Sequence, residues 1–476
     1  MSDAARPLTR EDLGLHDVRP RARVVHFGLG AFHRAHQAWF SAHAGDGAHW
    51  GICAFTGRGS GLAAALARQD GLYTLIVRSA SEDRFEVMTN LVEVHEGGDC
   101  AAIADVVSRP EVVIMTTTVT EAGYRLGLDG AARDDPDLAG DLAALRVLEA
   151  HAGLDDLELH TVPGRILLGL EARRRADAGP IALVPCDNVP NNGEVLRRGL
   201  TELAYRVSTE LAGWVAQNVS FVATSVDRIT PRTTAEDVAL VRERTGWIDA
   251  APVVTEPFAS WVLAGDFPAG RPRWEDAGAQ FVTAIEPYER RKLWLLNGAH
   301  SILAYRGLDA GHVTVAEAVA DPLCRRSVES FWSSAVRQLP EGLDLAAYRA
   351  QLIERFENAR MGYRLEQIAT DSVMKLRTRI APVVVAEYRA GRDCPAGVEV
   401  IAAWVRRLLH HTSFPDAEGA ALRTVLDAEP VSVSALIRLI DPRLVELGAF
   451  VDAVSRLVAV EPDHTPDTHP STRGEE

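Results

Sequence analysis

From Arg23 to about Gln280 the chain alternates two textures, and that alternation narrows its fold more than anything else in the sequence. Short β-branched runs recur as RVVHFG (23–28), HWGICAF (49–55), YTLIVR (73–78), EVVIMTTT (111–118), PIALVPC (180–186) and VSFVAT (219–224). Helical stretches such as SGLAAALARQ (60–69) and VPGRILLGLEARRRADAG (162–179) lie between them. Parallel strands need a crossover of about a dozen residues or more, usually a helix. This order therefore predicts an α/β fold, a mainly parallel sheet with helices on its faces. In the second helix Ile166, Leu167 and Leu170 share a face, whereas Arg173, Arg174 and Arg175 are expected to turn largely to solvent. FEVMTNLVEVH (85–95) is strand-like and open to an antiparallel placement.

After Gln280 the β-runs become scarce and helical patterns dominate. DPLCRRS opens with Asp321 as N-cap and Pro322 at the first helical position. DSVMKLRTRIAPVVVAEYRAG carries Pro382 inside its pattern, which predicts a kink or two helices. The expected division is an α/β domain over 1–283 and a mainly helical domain over 284–476. A tail rich in Pro, Thr and acid is expected to be disordered from about residue 461.

Composition removes several classes. A chain of 476 residues that is 47% hydrophobic buries ample core and is neither disordered nor a disulfide scaffold. With 66 Asp and Glu against 50 Lys and Arg, the net charge of −16 repels phosphate backbones, so no nucleic-acid partner is expected. Cys53, Cys100, Cys186, Cys324 and Cys394 are scattered, odd in number and without a C-x-x-C. That spacing argues against a disulfide framework or cysteine zinc site and fits a reducing compartment. The polar start MSDAARPLTREDLG lacks the apolar core of a signal peptide, and no apolar run reaches about 18 residues. A cytoplasmic protein with no membrane partner is expected.

Four segments carry chemistry. Gly28-Leu29-Gly30-Ala31-Phe32-His33 follows a hydrophobic strand, and two glycines two apart allow a tight turn and close backbone approach to a pyrophosphate. The third glycine of the usual dinucleotide fingerprint is absent, so an ordinary strand-to-helix turn stays open as a reading. His26, His33 and His36 have no carboxylate or cysteine at a spacing that completes a metal shell. Solvated or capping histidines are expected there, and no metal.

The third segment is Glu286 to His300. On a plain α-helical wheel of about 100° per residue, with Lys292 at zero, Glu289 falls near about 60°, His300 near about 80° and Asn297 near about 140°. Four polar groups thus share one flank of an apolar helix, either as an exposed face or as a site. A partly buried lysine with a lowered pKa is a competent general base, and His and Asn can orient a substrate. Fourth are Cys186-Asp187-Asn188-Val189-Pro190-Asn191-Asn192-Gly193 and Ser225-Val226-Asp227-Arg228-Ile229-Thr230-Pro231, each read as a loop after a strand. In open α/β sheets ligands bind beyond the strand carboxyl ends, although such Asx-rich loops are also ordinary turns.

Taken together these segments resemble the polyol-specific long-chain dehydrogenase/reductase family, which includes mannitol 2-dehydrogenase, fructuronate reductase and arabinitol dehydrogenases. The matching stretches are VVHFGLGAFHRAHQA (24–38), TVTEAGY (118–124), PCDNVPNNG (185–193), TSVDRITP (224–231), TEPFASWV (255–262), GRPRWEDAGAQFV (270–282) and KLWLLNGAHSILAYRG (292–307). The resemblance implies a Rossmann-type cofactor domain, a largely helical second domain, an active site between them and no metal. It implies Lys292 as general acid/base, Asn188 and Asn297 as hydrogen-bond donors to the reacting oxygen, and His300 as the residue that orients substrate. Glu289 would relay protons to solvent, and Asp227 would fix neighbouring groups or substrate hydroxyls. Gly28, Leu29, Gly30, Ala31 and Phe32 would hold the dinucleotide.

Two departures from the family pattern bear on specificity. The second strand runs into Thr56-Gly57-Arg58-Gly59-Ser60 with no acid before Asp70 to bind a ribose 2′-hydroxyl. NAD remains the expected cofactor, with NADP left open by Arg58 and Ser60. Gln367 stands where mannitol enzymes carry arginine before Asp371-Ser372-Val373-Met374-Lys375, which is closer to the fructuronate-reductase branch. Lys375, Arg377 and Arg379 are cations that could hold a substrate carboxylate, although one of the arginines is expected to be a plain helix-surface charge. The expected activity is metal-independent interconversion of a polyol and its ketose, with ketohexuronate reduction as the alternative. A non-catalytic dinucleotide- and sugar-binding sensor is the rival from another class. The family implies a monomer or small homo-oligomer with only a small-molecule partner.

Overall fold

The computed structural model describes residues 5–15, 19–57, 59, 61–150, 157–410 and 416–459. The expected disordered tail and Arg58 lie outside these residues. The chain divides into two compact units, Met1–Glu289 and Arg290–Glu476.

The first unit is built on a six-stranded sheet whose spatial order is Leu91–His95, Gly51–Thr56, Ala22–Leu29, Ile114–Thr117, Ile181–Pro185 and Val219–Phe221. Every neighbouring pair is parallel. Both faces are covered: Val25, Phe27, Cys53 and Met115 enter one core, and Val24, Ile52, Ala54 and Ile114 the other. This is why the strands appear as continuous apolar runs rather than alternating ones.

YTLIVR is not part of that sheet. Tyr73–Arg78 pairs antiparallel with Asp83–Met88 and parallel with Val253–Thr255 in a separate three-stranded sheet. The stretch 85–95 therefore splits, its first half antiparallel to Tyr73–Arg78 and its second half an edge strand of the main sheet. A third sheet holds Ala223–Asp227 against Ser260–Ala264, followed by Gln280–Phe281.

The helix Val162–Arg175 begins where the Thr161 hydroxyl accepts the Gly164 N–H, and Ile166, Leu167 and Leu170 are buried as expected. The expectation for its C-terminus is corrected. Arg173 is fully buried and its guanidinium donates to the carbonyls of Val107, Arg109, Ala178, Gly179 and Pro180. Arg174 and Arg175 pair instead with Glu171. The wheel could not show this because the five carbonyls come from the C-terminal end of the helix Cys100–Ser108 and from residues 178–180, just past the helix's own end.

The second unit is built of helices joined by loops among its described residues, with an isolated β-bridge between Thr314 and Arg364. Its central helix, Gly298–Asp309, is buried along most of its length and packs against Pro322–Val336 and Pro395–His410. Asp321 caps Pro322–Val336 through the N–H groups of Leu323 and Cys324. At Pro382 the pattern resolves into two helices, Ser372–Arg379 and Ala381–Arg389, because a proline amide cannot donate back to the preceding turn. No helix among the described residues is long and apolar enough to cross a membrane.

Candidate active site

The strand Ala22–Leu29 ends in a turn fixed from its neighbour. Gly28 has φ +100°, and a β-carbon there would lie 2.3 Å from the Thr118 carbonyl oxygen. The Thr118 N–H donates to Phe27 O at 3.0 Å, and its hydroxyl donates to Gly28 O at 2.8 Å. Gly30 differs, since a β-carbon on it meets nothing nearer than Gly28 O at 3.7 Å. Leu29 is buried, while Gly28, Gly30, Ala31 and Phe32 are half-buried. A strained glycine followed by one with open space beside it is the geometry that lets backbone approach a pyrophosphate closely, so these residues fit a dinucleotide.

The histidines below this turn are neither solvated nor acting as side-chain caps. His26, His33 and His36 are all fully buried. Because Thr118 Oγ1 gives its proton to Gly28 O, it accepts from His26 Nε2–H at 3.1 Å, leaving Nδ1 to accept from Thr116 Oγ1 at 2.8 Å. His33 stacks on His26 with ring centroids 3.4 Å apart. His36 Nδ1 pairs with the Gln37 side-chain amide, so its Nε2–H donates to Ser260 O at 2.9 Å. Burial lowers the His26 pKa to about 3, so this tautomer is neutral. Among the described residues, the groups of three possible metal donors lie elsewhere, at Cys53, Glu93, His95 and at His312, Asp321, Cys324. Glu93 is already paired with Arg109, and Asp321 with His312 and its helix N-terminus.

Beyond Ile181–Pro185 the loop buries Cys186 and Asp187 and exposes Asn188. Asp187 is a group that sequence reasoning missed. Its carboxylate accepts from Tyr124 Oη at 2.7 Å, Val189 N at 3.0 Å and Asn192 Nδ2 at 3.3 Å. Tyr124 also shares a hydrogen bond with Thr117, and burial together with the Asp187 charge pushes its phenol well above the ordinary range. Asn192 extends the network by donating to Pro185 O and accepting Thr224 N–H at 2.9 Å. The signal that could have found Asp187 is the Asx turn itself, in which the side chain accepts the N–H two residues on. Glu289 accepts the Asn191 N–H at 2.8 Å and so braces the same loop. Asp227 lies at the end of the strand Ala223–Asp227, opposite Ser260, and is not in a loop after a strand as expected.

In the second unit Lys292, Asn297 and His300 occupy one helix, but the plain wheel does not describe it. Lys292–Asn297 is a π-helical turn between the α-helices Glu286–Arg291 and Gly298–Asp309. Lys292 is half-buried and His300 is buried against Phe356 and Tyr363. Asn297 Oδ1 is buried with no hydrogen-bond partner among the described residues. Lys375 Nζ donates to Ile368 O at 3.1 Å and Thr370 Oγ1 at 3.3 Å, and burial beside Arg379 lowers its pKa. Arg377 is committed to Glu418 and to the carbonyls of Leu439 and Ile440. Arg379 donates to Asn297 O and Ser301 Oγ, both at 3.3 Å, and Gln367 is exposed.

A parallel sheet with a glycine turn at its centre, followed by a helical unit, is the architecture of a Rossmann-based oxidoreductase. Residues 22–276 match the mannitol dehydrogenase Rossmann domain, and residues 284–423 match the mannitol dehydrogenase C-terminal domain. The chain belongs to the mannitol dehydrogenase family and is a dehydrogenase acting on a secondary alcohol. It is 35% identical over 421 residues to D-mannonate oxidoreductase of Escherichia coli K12, covering 86% of this chain and 83% of the relative. It is also 35% identical over 436 residues to D-arabinitol 4-dehydrogenase of Ralstonia nicotianae, covering 87% and 90%. Among solved structures, the Pseudomonas fluorescens mannitol 2-dehydrogenase ternary complex with NAD and D-mannitol superposes with a TM-score of 0.78 at 30% identity, covering 95% of this chain and 96% of that one. A substrate-free D-sorbitol dehydrogenase gives a TM-score of 0.83 at 26% identity, with 93% of each chain covered.

Proposed function

We propose that the chain uses NAD to interconvert a secondary alcohol of an acyclic polyol with its ketose, with Lys292 as the general acid/base. The observation that carries this reading is the sharing of one π-turned helix by Lys292, Asn297 and His300 in a chain of this family. In alcohol oxidation the Lys292 amine takes the hydroxyl proton. A bound nicotinamide supplies the hydride acceptor, and the donor in the reverse direction. Asn188 and Asn297 hydrogen-bond the reacting oxygen and stabilise its developing negative charge. His300 orients the substrate, Glu289 passes the proton on to solvent, and Asp227 holds neighbouring hydroxyls. Gly28 to Phe32 take the dinucleotide at the turn.

A second reading, reduction of a ketohexuronate, is supported by the relative named D-mannonate oxidoreductase and by the half-buried cation Lys375. A carboxylate substrate would need such a charge, given the −16 of the whole chain. One assay tests both. Mannitol, arabinitol, sorbitol, fructuronate and tagaturonate are each offered with NAD and with NADP, using wild type and Lys292→Ala. The leading reading expects turnover of a polyol with NAD, lost in Lys292→Ala while NADH still binds. Turnover confined to the uronates moves the assignment to the second reading, and undiminished turnover in Lys292→Ala overturns the lysine mechanism.

A further inference from the structure

The π turn at Lys292–Asn297 decides which side chains share a face of the helix, and it is held from outside. In an uninterrupted α-helix Asn297 and His300 would lie about 140° and about 80° round from Lys292. A turn closed i to i+5 carries roughly 4.4 residues, about 80° each, which returns Asn297 to about 40° and His300 to about −20°. The three groups then span an arc of about 60° instead of about 140°. The Gly298 N–H bonded to Leu293 O, five residues back, is the hydrogen bond that makes this turn.

Such turns persist where the surroundings over-determine them, and here several contacts do so. The indole N–H of Trp332, 1% exposed on the helix Pro322–Val336, donates to Leu295 O at 2.7 Å. The Arg379 guanidinium donates to Asn297 O at 3.3 Å, where the Ser301 hydroxyl also donates at 3.3 Å. Phe331, next to Trp332, lies so close that a β-carbon on Gly298 would come within 2.8 Å of its ring. The turn is thus tied at two carbonyls and given its clearance by one glycine. This also explains Asn297-Gly298 in mid-helix, a pair with poor helix propensity.

We propose that Trp332 and Arg379 are positioning residues that hold the π turn and thereby bring Lys292, Asn297 and His300 onto one face. The proposal rests on Lys292 being the acid/base. It assigns Arg379 to the backbone of the turn and not to a substrate carboxylate. Without these donors the turn relaxes toward α-helical phase, which rotates Asn297 and His300 away from Lys292. Misplacement on this scale costs turnover far more than binding.

The test uses the full chain with whichever panel substrate wild type turns over fastest. Trp332→Phe keeps one aromatic ring and removes the N–H together with the pyrrole half of the indole. Arg379→Met removes the cation, and Arg379→Lys restores one donor. For Trp332→Phe and Arg379→Met the expected result is kcat lower by about 10- to 100-fold, KM within about threefold, and a displaced pH–rate profile. NADH affinity should be unchanged, and Arg379→Lys should recover at least about a third of the kcat lost in Arg379→Met. Wild-type kcat and pH profile in Trp332→Phe overturn the proposal. If Trp332→Phe fails to fold, equal kcat in Arg379→Met and Arg379→Lys overturns it. The underlying reading fails separately, by full activity in Lys292→Ala.

Discussion

Thr118 presents its carbonyl oxygen 2.3 Å from where a β-carbon on residue 28 would sit, so the close of the first sheet strand is shaped around the absence of a side chain. Gly28→Ala meets both that oxygen and the penalty of φ +100°, and it is expected to destabilise the chain by more than about 2 kcal/mol. Gly30→Ala is the contrasting change. Its φ of −144° suits any residue and its β-carbon would meet no protein atom closely. Its stability should stay within about 0.5 kcal/mol of wild type, while NADH affinity falls by about tenfold or more. Thermal melts and NADH fluorescence titrations separate the two. Wild-type affinity in Gly30→Ala would mean that the dinucleotide does not approach this turn.

Arg173 supports five carbonyls from inside the fold, and burial lowers its pKa to about 10, so it remains charged at neutral pH. Arg173→Met removes the guanidinium from all five carbonyls, of which Arg109 O keeps the Val112 N–H, and should cost about 3 kcal/mol or more. Arg174→Ala removes one partner of the buried Glu171 but leaves it paired with Arg175, and should cost less, about 1–2 kcal/mol. Urea titration of the two variants provides the comparison, and equal midpoints would contradict the assigned roles.

Asp187 ties Tyr124, Val189 and Asn192 into one frame beneath Asn188. Asp187→Asn replaces an acceptor-only group by one that also presents N–H to a site occupied by donors, at a cost of about 1–3 kcal/mol. If the frame aims Asn188 at the reacting oxygen, kcat should fall well beyond what the loss of folded protein explains. Tyr124→Phe removes only one of these donors and should give a smaller change in the same direction. A normal kcat in a destabilised Asp187→Asn would make Asp187 a purely structural residue.

The alternation of runs made the parallel sheet legible, because strands buried on both faces must be apolar at nearly every position, as in Ala22–Leu29 and Ile181–Pro185. The same logic could not sort Tyr73–Arg78 into a different sheet, since its burial is just as continuous and only pairing with Asp83–Met88 distinguishes it. The candidate residues of the second unit were found by type and resemblance, but their phase was not. A π turn leaves no local signature when its stabilising contacts, Trp332 and Arg379, are 35 or more residues away. Arg173, expected at the surface, and Asp187, not singled out within its loop, share a related reason. A charged residue reads as surface until the loops that cover it are known.

The stacked pair His26 and His33 gives the last prediction, on pH. In the folded chain burial holds His26 at about 3 and His33 well below the ordinary histidine value, whereas both titrate near about 6.5 when unfolded. Below about pH 6.5 the unfolded chain therefore binds protons that the folded chain refuses. Stability contributed by the neutral pair is fully present above that pH and is lost progressively as pH falls toward about 3. His33 is the better of the two to replace, because neither of its ring nitrogens has a hydrogen-bond partner of good geometry among the described residues. His33→Phe keeps a flat ring against His26 and removes one titrating group. Its melting temperature should lie within a few degrees of wild type at pH 8, and it should fall less steeply than wild type between pH 7 and pH 5. Melts followed by circular dichroism across that range read the difference in slope directly. Parallel curves for the two proteins would show that the pair does not govern the acid limb.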